Sequence, residues 1–448
     1  MYLVYFGVSD FKDYRYVGFF NMWTPALLIR DPEIVKEVLV KQFNSYENWL
    51  QVENNVDPIL ALNPFLIYGS KWKSVRSVLT SQFTSAKMKQ MVPNINVVNN
   101  KMIEHITQEM EKSKSLNVRM LTTRFTGDNV MLNAFGLNGR SFETDVTDSS
   151  KIAEQISSNS KIIQIKQTLA ILFPYLRKLF KITFIGDPVP ELFKNIILDA
   201  VKYRQENQIV RKDYLGYLSE MKEKLLPYYT TNDELIAHAF TFFFDGYETS
   251  ALTMGYALYE LTQNQDIQDK AREQIMEVLD KHNNTLTYEA LQKIEYIECI
   301  VLETLRKNSI IKIMSRICLE DVEFPCASEK IHDQTLVIKK GTEIFISVES
   351  IHMDEKNYPN PKVFDPDRFK EDAKNSRHKY AFLGFGEGPK ICLGRNFALT
   401  QIKMGLIAIL SKFKLVLNDK TKLPLEQENL HFFTAPKSDV WIDFIPRS

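Results

Sequence analysis

Phe385-Gly386-Glu387-Gly388-Pro389-Lys390-Ile391-Cys392-Leu393-Gly394 decides how this chain is read. One cysteine closes a loop that carries glycine at 384, 386 and 388, and an apolar helical pattern runs from Leu393 to about Ser411 straight after it. Glycine opens backbone conformations closed to other residues, so a loop of this kind can turn its N–H groups inward toward a sulfur. A helix start adds partial positive charge and favours the thiolate over the thiol. A lone cysteine is ordinarily a small buried hydrophobe; the glycine frame and the helix that follows point instead to a ligand for a soft or borderline metal.

The rest of the composition is that of a globular protein. The 448 residues carry 56 Lys and Arg against 56 Asp and Glu, which argues against a general nucleic-acid binder. Cys299, Cys318, Cys326 and Cys392 are irregularly spaced, giving neither a disulfide framework nor a paired metal motif, and a reducing, cytosol-facing setting fits them. No run of about 18 apolar residues exists, and the start of the chain lacks the basic flank of a signal peptide.

Outward from the loop, further groups stand out. Residues 15–20 and 26–29 read as strands, and Asp31-Pro32 as the capped start of a helix. Trp72 and Arg76 share one face of a probable helix. Thr231-Asn232-Asp233-Glu234 reads as a capping box opening a helix that runs to about Thr262. In its middle Asp245-Gly246-Tyr247-Glu248-Thr249-Ser250 gathers residues that weaken a helix, as glycine and hydroxyl side chains do. Glu303 and Arg306 are spaced i, i+3 on a helix expected to begin near Thr287. Strands are expected at 335–338 and 343–348, joined by a turn at 339–342. The segment 169–185 is strongly apolar with interleaved Arg177, Lys178 and Lys181, which suits either a buried helix pair or a surface that dips into a membrane interface. His352 and His378 read as surface or hydrogen-bonding residues.

The spacing Phe-x-x-Gly-x-Lys-x-Cys-x-Gly resembles the haem signature of the cytochrome P-450 family, the haem-thiolate monooxygenases, in particular the microsomal detoxification branch of insects. The other groups occur in family order over nearly the whole chain. The resemblance implies a mainly α fold with small β-sheets, an α-rich part around haem and a β-rich N-terminal part, and one haem domain across 1–448. It implies Cys392 as axial ligand in a loop with Phe385 and Gly388, and Trp72, Arg76, Arg316 and Lys390 on the propionates of haem b. Glu248 and Thr249 would relay protons. Glu303 and Arg306 would join Arg368 to lock the region behind the cysteine.

It further implies a separate NADPH-dependent cytochrome P-450 reductase, since the chain has no glycine-rich dinucleotide motif after a strand. Lys71, Lys73, Lys390, Arg395 and Lys403 would offer that reductase a basic face. The substrate would be a small lipophilic molecule and the setting the cytosolic face of the endoplasmic reticulum. Relatives begin with a membrane anchor and hinge; this sequence starts about where the soluble body would, so peripheral contact with the membrane surface is expected. Rival readings are a peroxide-using isomerase or dehydratase and a haem-binding chain without catalysis. Three positions depart from the family pattern: Asp245, where Ala or Gly is usual; Asn308-Ser309-Ile310, where a Tyr-Pro-Pro-like turn is common; and Lys390, where Arg is usual.

Overall fold

The computed structural model describes residues 13–21, 23–48, 56–112, 115–144, 179–180, 183, 189–224, 231–328, 335–430 and 433–447. The chain divides into two compact units, one formed by 1–51 with 305–392 and the other by 52–304 with 393–448. Most of the apolar segment 169–185 lies outside the described residues.

The first unit is built on a five-stranded sheet. Tyr16–Asn21 and Thr24–Ile29 form the expected N-terminal hairpin, and the second strand pairs in parallel with Glu343–Ser347. Ile313–Cys318 and the short Tyr46–Glu47 complete the sheet in antiparallel pairing. Alternate residues of the inner strands, Ile344 and Ile346 among them, are fully buried. The Asp31 carboxylate accepts from the N–H groups of Glu33 and Ile34, with Pro32 at the first helical position, so that cap forms as its residues dictate. The two strands joined by the turn at 339–342 form as expected, and each pairs elsewhere. Leu336–Ile338 pairs with Val322–Phe324, and Glu343–Ser347 enters the larger sheet.

The second unit is helical, with helices α1 (Gly69–Thr80), α2 (Ser85–Lys112), α3 (Val118–Phe135), α4 (Asn232–Gln263), α5 (Glu295–Lys307, whose last residues pass into the first unit) and α6 (Arg395–Lys412). The helix expected from Thr287 is in fact two. Tyr288–Lys293 ends at Ile294, whose ψ of 75° leaves the helical region, and α5 begins after it. The helix α4 is apolar on most of its circumference and lies in the core. Phe193 holds it in place, with ring centroids 5.2 Å from Phe240 and 5.6 Å from Phe243. Helix α6 approaches closely because Gly405 lacks a side chain: a Cβ there would lie 2.7 Å from Met254 and 2.8 Å from Phe125. A small sheet of Leu116–Asn117, Trp441–Pro446 and Phe413–Leu417 closes the unit. Among the described residues no helix is long and apolar enough to cross a membrane.

At the start of α4 the Thr231 hydroxyl accepts from Asp233 N–H, while Glu234 returns its carboxylate to the Thr231 N–H and hydroxyl. Thr231→Ala removes the hydroxyl's two bonds and leaves only the residue 231 N–H to Glu234, and is expected to lower unfolding free energy by about 1 kcal/mol; a denaturant midpoint unchanged at constant slope would contradict it.

Candidate active site

In the first unit the cysteine loop is fixed from three sides. The N–H of Cys392 donates to Phe385 O at 2.8 Å, Ile391 N–H to Gly388 O at 3.0 Å, and Gly386 N–H to Leu383 O at 3.0 Å. Closing so tight a ring requires φ of +71° at Gly386 and +73° at Gly388. At Gly388 the demand is also steric, since a Cβ would lie 1.9 Å from the carbonyl oxygen of Leu39. The Cys392 side chain is exposed and belongs to no disulfide. In the sequence it lies three residues ahead of the first residue of α6.

The stretch before the loop is anchored by a histidine whose place there the sequence does not reveal. His352 is fully buried, stacks on Phe382 with ring centroids 5.6 Å apart, and accepts the N–H of Leu383 on Nε2 at 2.9 Å. Its Nδ1 therefore carries the proton, facing Ser309 Oγ at 2.9 Å and Arg306 O at 3.2 Å. Burial, reinforced by the Arg306 charge, pushes this imidazole down to about 3, so it stays neutral. The unusual Ser309 thus has a partner here that a proline could not supply. The Arg306 guanidinium, also fully buried, donates to His352 O at 3.0 Å and Val363 O at 3.3 Å and lies over the Tyr358 ring. Arg368 donates to Asn360 O at 3.1 Å and lies 3.8 Å from the Asp365 carboxylate. Glu303 is fully buried one turn before Arg306 on α5.

Two cations of this unit bear on the propionate reading. Arg316 sits on the strand Ile313–Cys318 and donates to Ser315 O at 2.7 Å, with no carboxylate facing it among the described residues. It keeps some accessible surface, yet burial alone lowers its guanidinium to about 10. A cation so placed is costly unless an anion joins it. Lys390 reaches Asn48 Oδ1 at 2.9 Å, so its ammonium has a neutral protein acceptor. His378 is a hydrogen-bonding residue, 2.6 Å from Glu33 Oε1.

In the second unit Trp72 is buried and Arg76 half-buried on α1, four residues apart as expected. Helix α4 runs unbroken through 245–250, and the weakening residues take side-chain partners. Thr249 Oγ donates to Asp245 O at 2.5 Å. Gln401, fully buried on α6, donates to Gly246 O at 2.9 Å and Ser250 Oγ at 2.8 Å. Glu248 is 2 % exposed and paired through Oε1 with Arg119 of α3, while its Oε2 has no partner among the described residues. Burial works to lower the Arg119 guanidinium, but the Glu248 charge and hydrogen bond outweigh it and the net shift is upward. Neither Arg119 nor Gln401 follows from a local motif; 129 residues separate Arg119 from Glu248.

Asp245 shows accessible surface, yet burial raises its carboxyl to about 7 with no charge or hydrogen bond contributing. Lys403 corrects the expected basic face: it is buried and bonded to Glu298 at 3.0 Å. Lys73 and Arg395 are exposed, and Lys71 lies 4.0 Å from Glu234.

An accessible thiol on a glycine ring, ahead of a core helix in the sequence, and a half-buried arginine that faces no carboxylate among the described residues suit a haem-thiolate oxidoreductase. The chain belongs to the cytochrome P450 family, whose model matches residues 11–442, and with it to the haem-dependent monooxygenases. It is 33% identical over 434 residues to probable cytochrome P450 6a21 of Drosophila melanogaster, spanning 95% of this chain and 85% of that protein. Similar matches are cytochrome P450 6j1 of Blattella germanica, 33% identical over 92% of this chain and 80% of the relative, and cytochrome P450 6A1 of Musca domestica, 32% identical over 95% and 84%.

Two outcomes test these assignments. Gly388→Ala forces a β-carbon into Leu39 O at a left-handed residue, whereas Gly341→Ala meets a φ of +85° but nothing within 4 Å. The second should cost about 1–2 kcal/mol and the first clearly more; equal losses in denaturant melts would contradict the ring geometry. For Asp245 the folded carboxyl titrates near 7 and the unfolded one near its ordinary value of about 3.9. Between those values the folded chain holds a proton that the unfolded chain has released, so stability falls as pH rises through the window. Asp245→Ala should therefore raise the melting temperature, and by more at pH 8 than at pH 5.

Proposed function

We propose that this protein inserts one oxygen atom from dioxygen into a small lipophilic substrate, with electrons from a separate NADPH-dependent cytochrome P-450 reductase. The observation that carries the reading is the Cys392 thiol, presented by a ring that its own N–H closes on Phe385 O. Cys392 would hold haem b through its sulfur, with Phe385 and Gly388 shaping the loop that presents it. Arg316 would supply a half-buried positive charge to one propionate, with Trp72, Arg76 and Lys390 as further donors. Lys390 does this as a point charge without the fork of an arginine, and it leaves or shares Asn48 to do so. Haem bound through a thiolate supplies the activation of oxygen, the sulfur pushing electron density toward O–O cleavage.

The remaining chemistry is proton transfer by α4. The Thr249 hydroxyl, resting on Asp245 O, turns outward to pass a proton, and Glu248 takes protons on its unpartnered Oε2 while Arg119 holds Oε1. Glu303, Arg306 and Arg368 hold structure and take no part in the reaction. The setting is the cytosolic face of the endoplasmic reticulum membrane, in contact with the membrane surface, and xenobiotics or endogenous steroid- or fatty-acid-like molecules fit the substrate class.

The balance of the reaction is substrate, dioxygen, NADPH and a proton going to hydroxylated substrate, water and NADP+. With a panel of lipophilic compounds under isotopically labelled dioxygen, product should carry one labelled atom and form only with reductase and NADPH present. Product formed from a hydroperoxide alone, with none under reductase and NADPH, would overturn the reading in favour of a peroxide-using enzyme.

A further inference from the structure

Glu248 and Thr249 share one turn of α4, and Gln401 of α6 grips that turn at both its ends. The Gln401 amide nitrogen donates to Gly246 O at 2.9 Å and to Ser250 Oγ at 2.8 Å, and its side chain is fully buried. On either side of it the contact between the two helices is apolar. One turn earlier on α6, the Phe397 ring lies 5.2 Å from that of Phe242 and would be 3.4 Å from a Cβ at Gly246. One turn later, a Cβ at Gly405 would lie 2.7 Å from Met254. An aliphatic side chain at 401 would continue this packing. Glutamine is the costlier choice, because its Oε1 has no partner among the described residues.

What the amide adds over an aliphatic chain is direction. Apolar packing resists separation of two helices but only weakly opposes rotation of one about its own axis. Two hydrogen bonds to points one turn apart oppose that rotation, since each weakens steeply with angle. Successive side chains leave a helix about 100° apart, so Thr249 projects between Glu248 and Ser250. Glu248 is tied to Arg119 of α3, and Ser250 to Gln401 of α6. We infer that Gln401 is a positioning residue for the proton path. With Arg119 it holds the turn from the two sides of Thr249, so that the hydroxyl can leave Asp245 O and return without the helix turning beneath it. This rests on the monooxygenase reading for the use made of Thr249; the grip on α4 belongs to the fold.

The test compares haem-loaded Gln401→Met, which keeps the side chain's length and removes both donors, with Thr249→Ala, the double variant and Leu406→Ala. Leu406 is fully buried on α6, and its truncation loosens the same helix without touching these bonds. Two quantities are read: hydrogen exchange over residues 244–252 by mass spectrometry, and product formed per NADPH with reductase present. Dioxygen that is reduced but not inserted leaves as hydrogen peroxide, consuming one NADPH and one proton per molecule. Gln401→Met should speed exchange in that segment about threefold or more beyond the effect of Leu406→Ala. It should also lower product per NADPH about fivefold, with the difference recovered as peroxide. Leu406→Ala should leave that yield unchanged. Thr249→Ala should lower the yield, and adding Gln401→Met should lower it no further. If Gln401→Met does not fold, Ser250→Ala decides the matter: it removes one of the two bonds and should move both readouts the same way by less. Exchange or yield unchanged in the variant, an equal loss of yield in Leu406→Ala, or a full further loss in the Thr249→Ala background would each overturn the proposal. A parent protein that forms no product with reductase and NADPH defeats the monooxygenase reading, while exchange still reports separately whether Gln401 grips α4.

Discussion

A metal-binding thiolate has to be held still by a backbone that is neither helix nor strand, and the first unit is arranged around that constraint. A free loop would lose the sulfur's position to conformational entropy. Here the loop is drawn into a ring by the Cys392 N–H on Phe385 O, given its curvature by two left-handed glycines, and tied at its entrance by Leu383 N–H on His352. His352 is in turn gripped by Ser309 and by the carbonyl of Arg306. The buried arginine contributes no chemistry at that point. It satisfies carbonyls that a loop-rich interior would leave without donors, which is what a planar fork with five N–H groups suits.

Helix α4 solves a different problem. It is a core helix by its apolar content, yet it carries Asp245, Glu248, Thr249 and Ser250 in a turn and a half. Each polar group is either given a specific partner or left at a cost. Glu248 has Arg119, Ser250 and the carbonyl of Gly246 have Gln401, and Thr249 has the carbonyl one turn back. Asp245 alone of these has no side-chain partner among the described residues, and it is exposed.

Much of this was legible in the sequence because the signals are local. The turn-forming glycines of the cysteine loop, the Asp31 and Thr231 caps and the strands of the N-terminal hairpin all follow from residue type and local pattern. What was not legible depends on partners far along the chain. Arg119 meets Glu248 across 129 residues, and Ser309 meets His352 across 43. Lys403 reads as a surface cation until packing brings Glu298 to it. The strand at 336–338 finds a partner upstream in place of the one just after its turn, since register across a sheet is set by the whole layer. The break at Ile294 carries no glycine or proline to announce it.

The claim on which the rest depends is that the Cys392 sulfur, as a thiolate, is the protein's ligand to haem iron. The absorption spectrum of the reduced protein under carbon monoxide reads the identity of that ligand directly. A Soret band strongly displaced to the red, absent in Cys392→Ser, is the result expected of thiolate ligation. A band at the position of a histidine-ligated haem, or one indifferent to the loss of Cys392, would contradict the account.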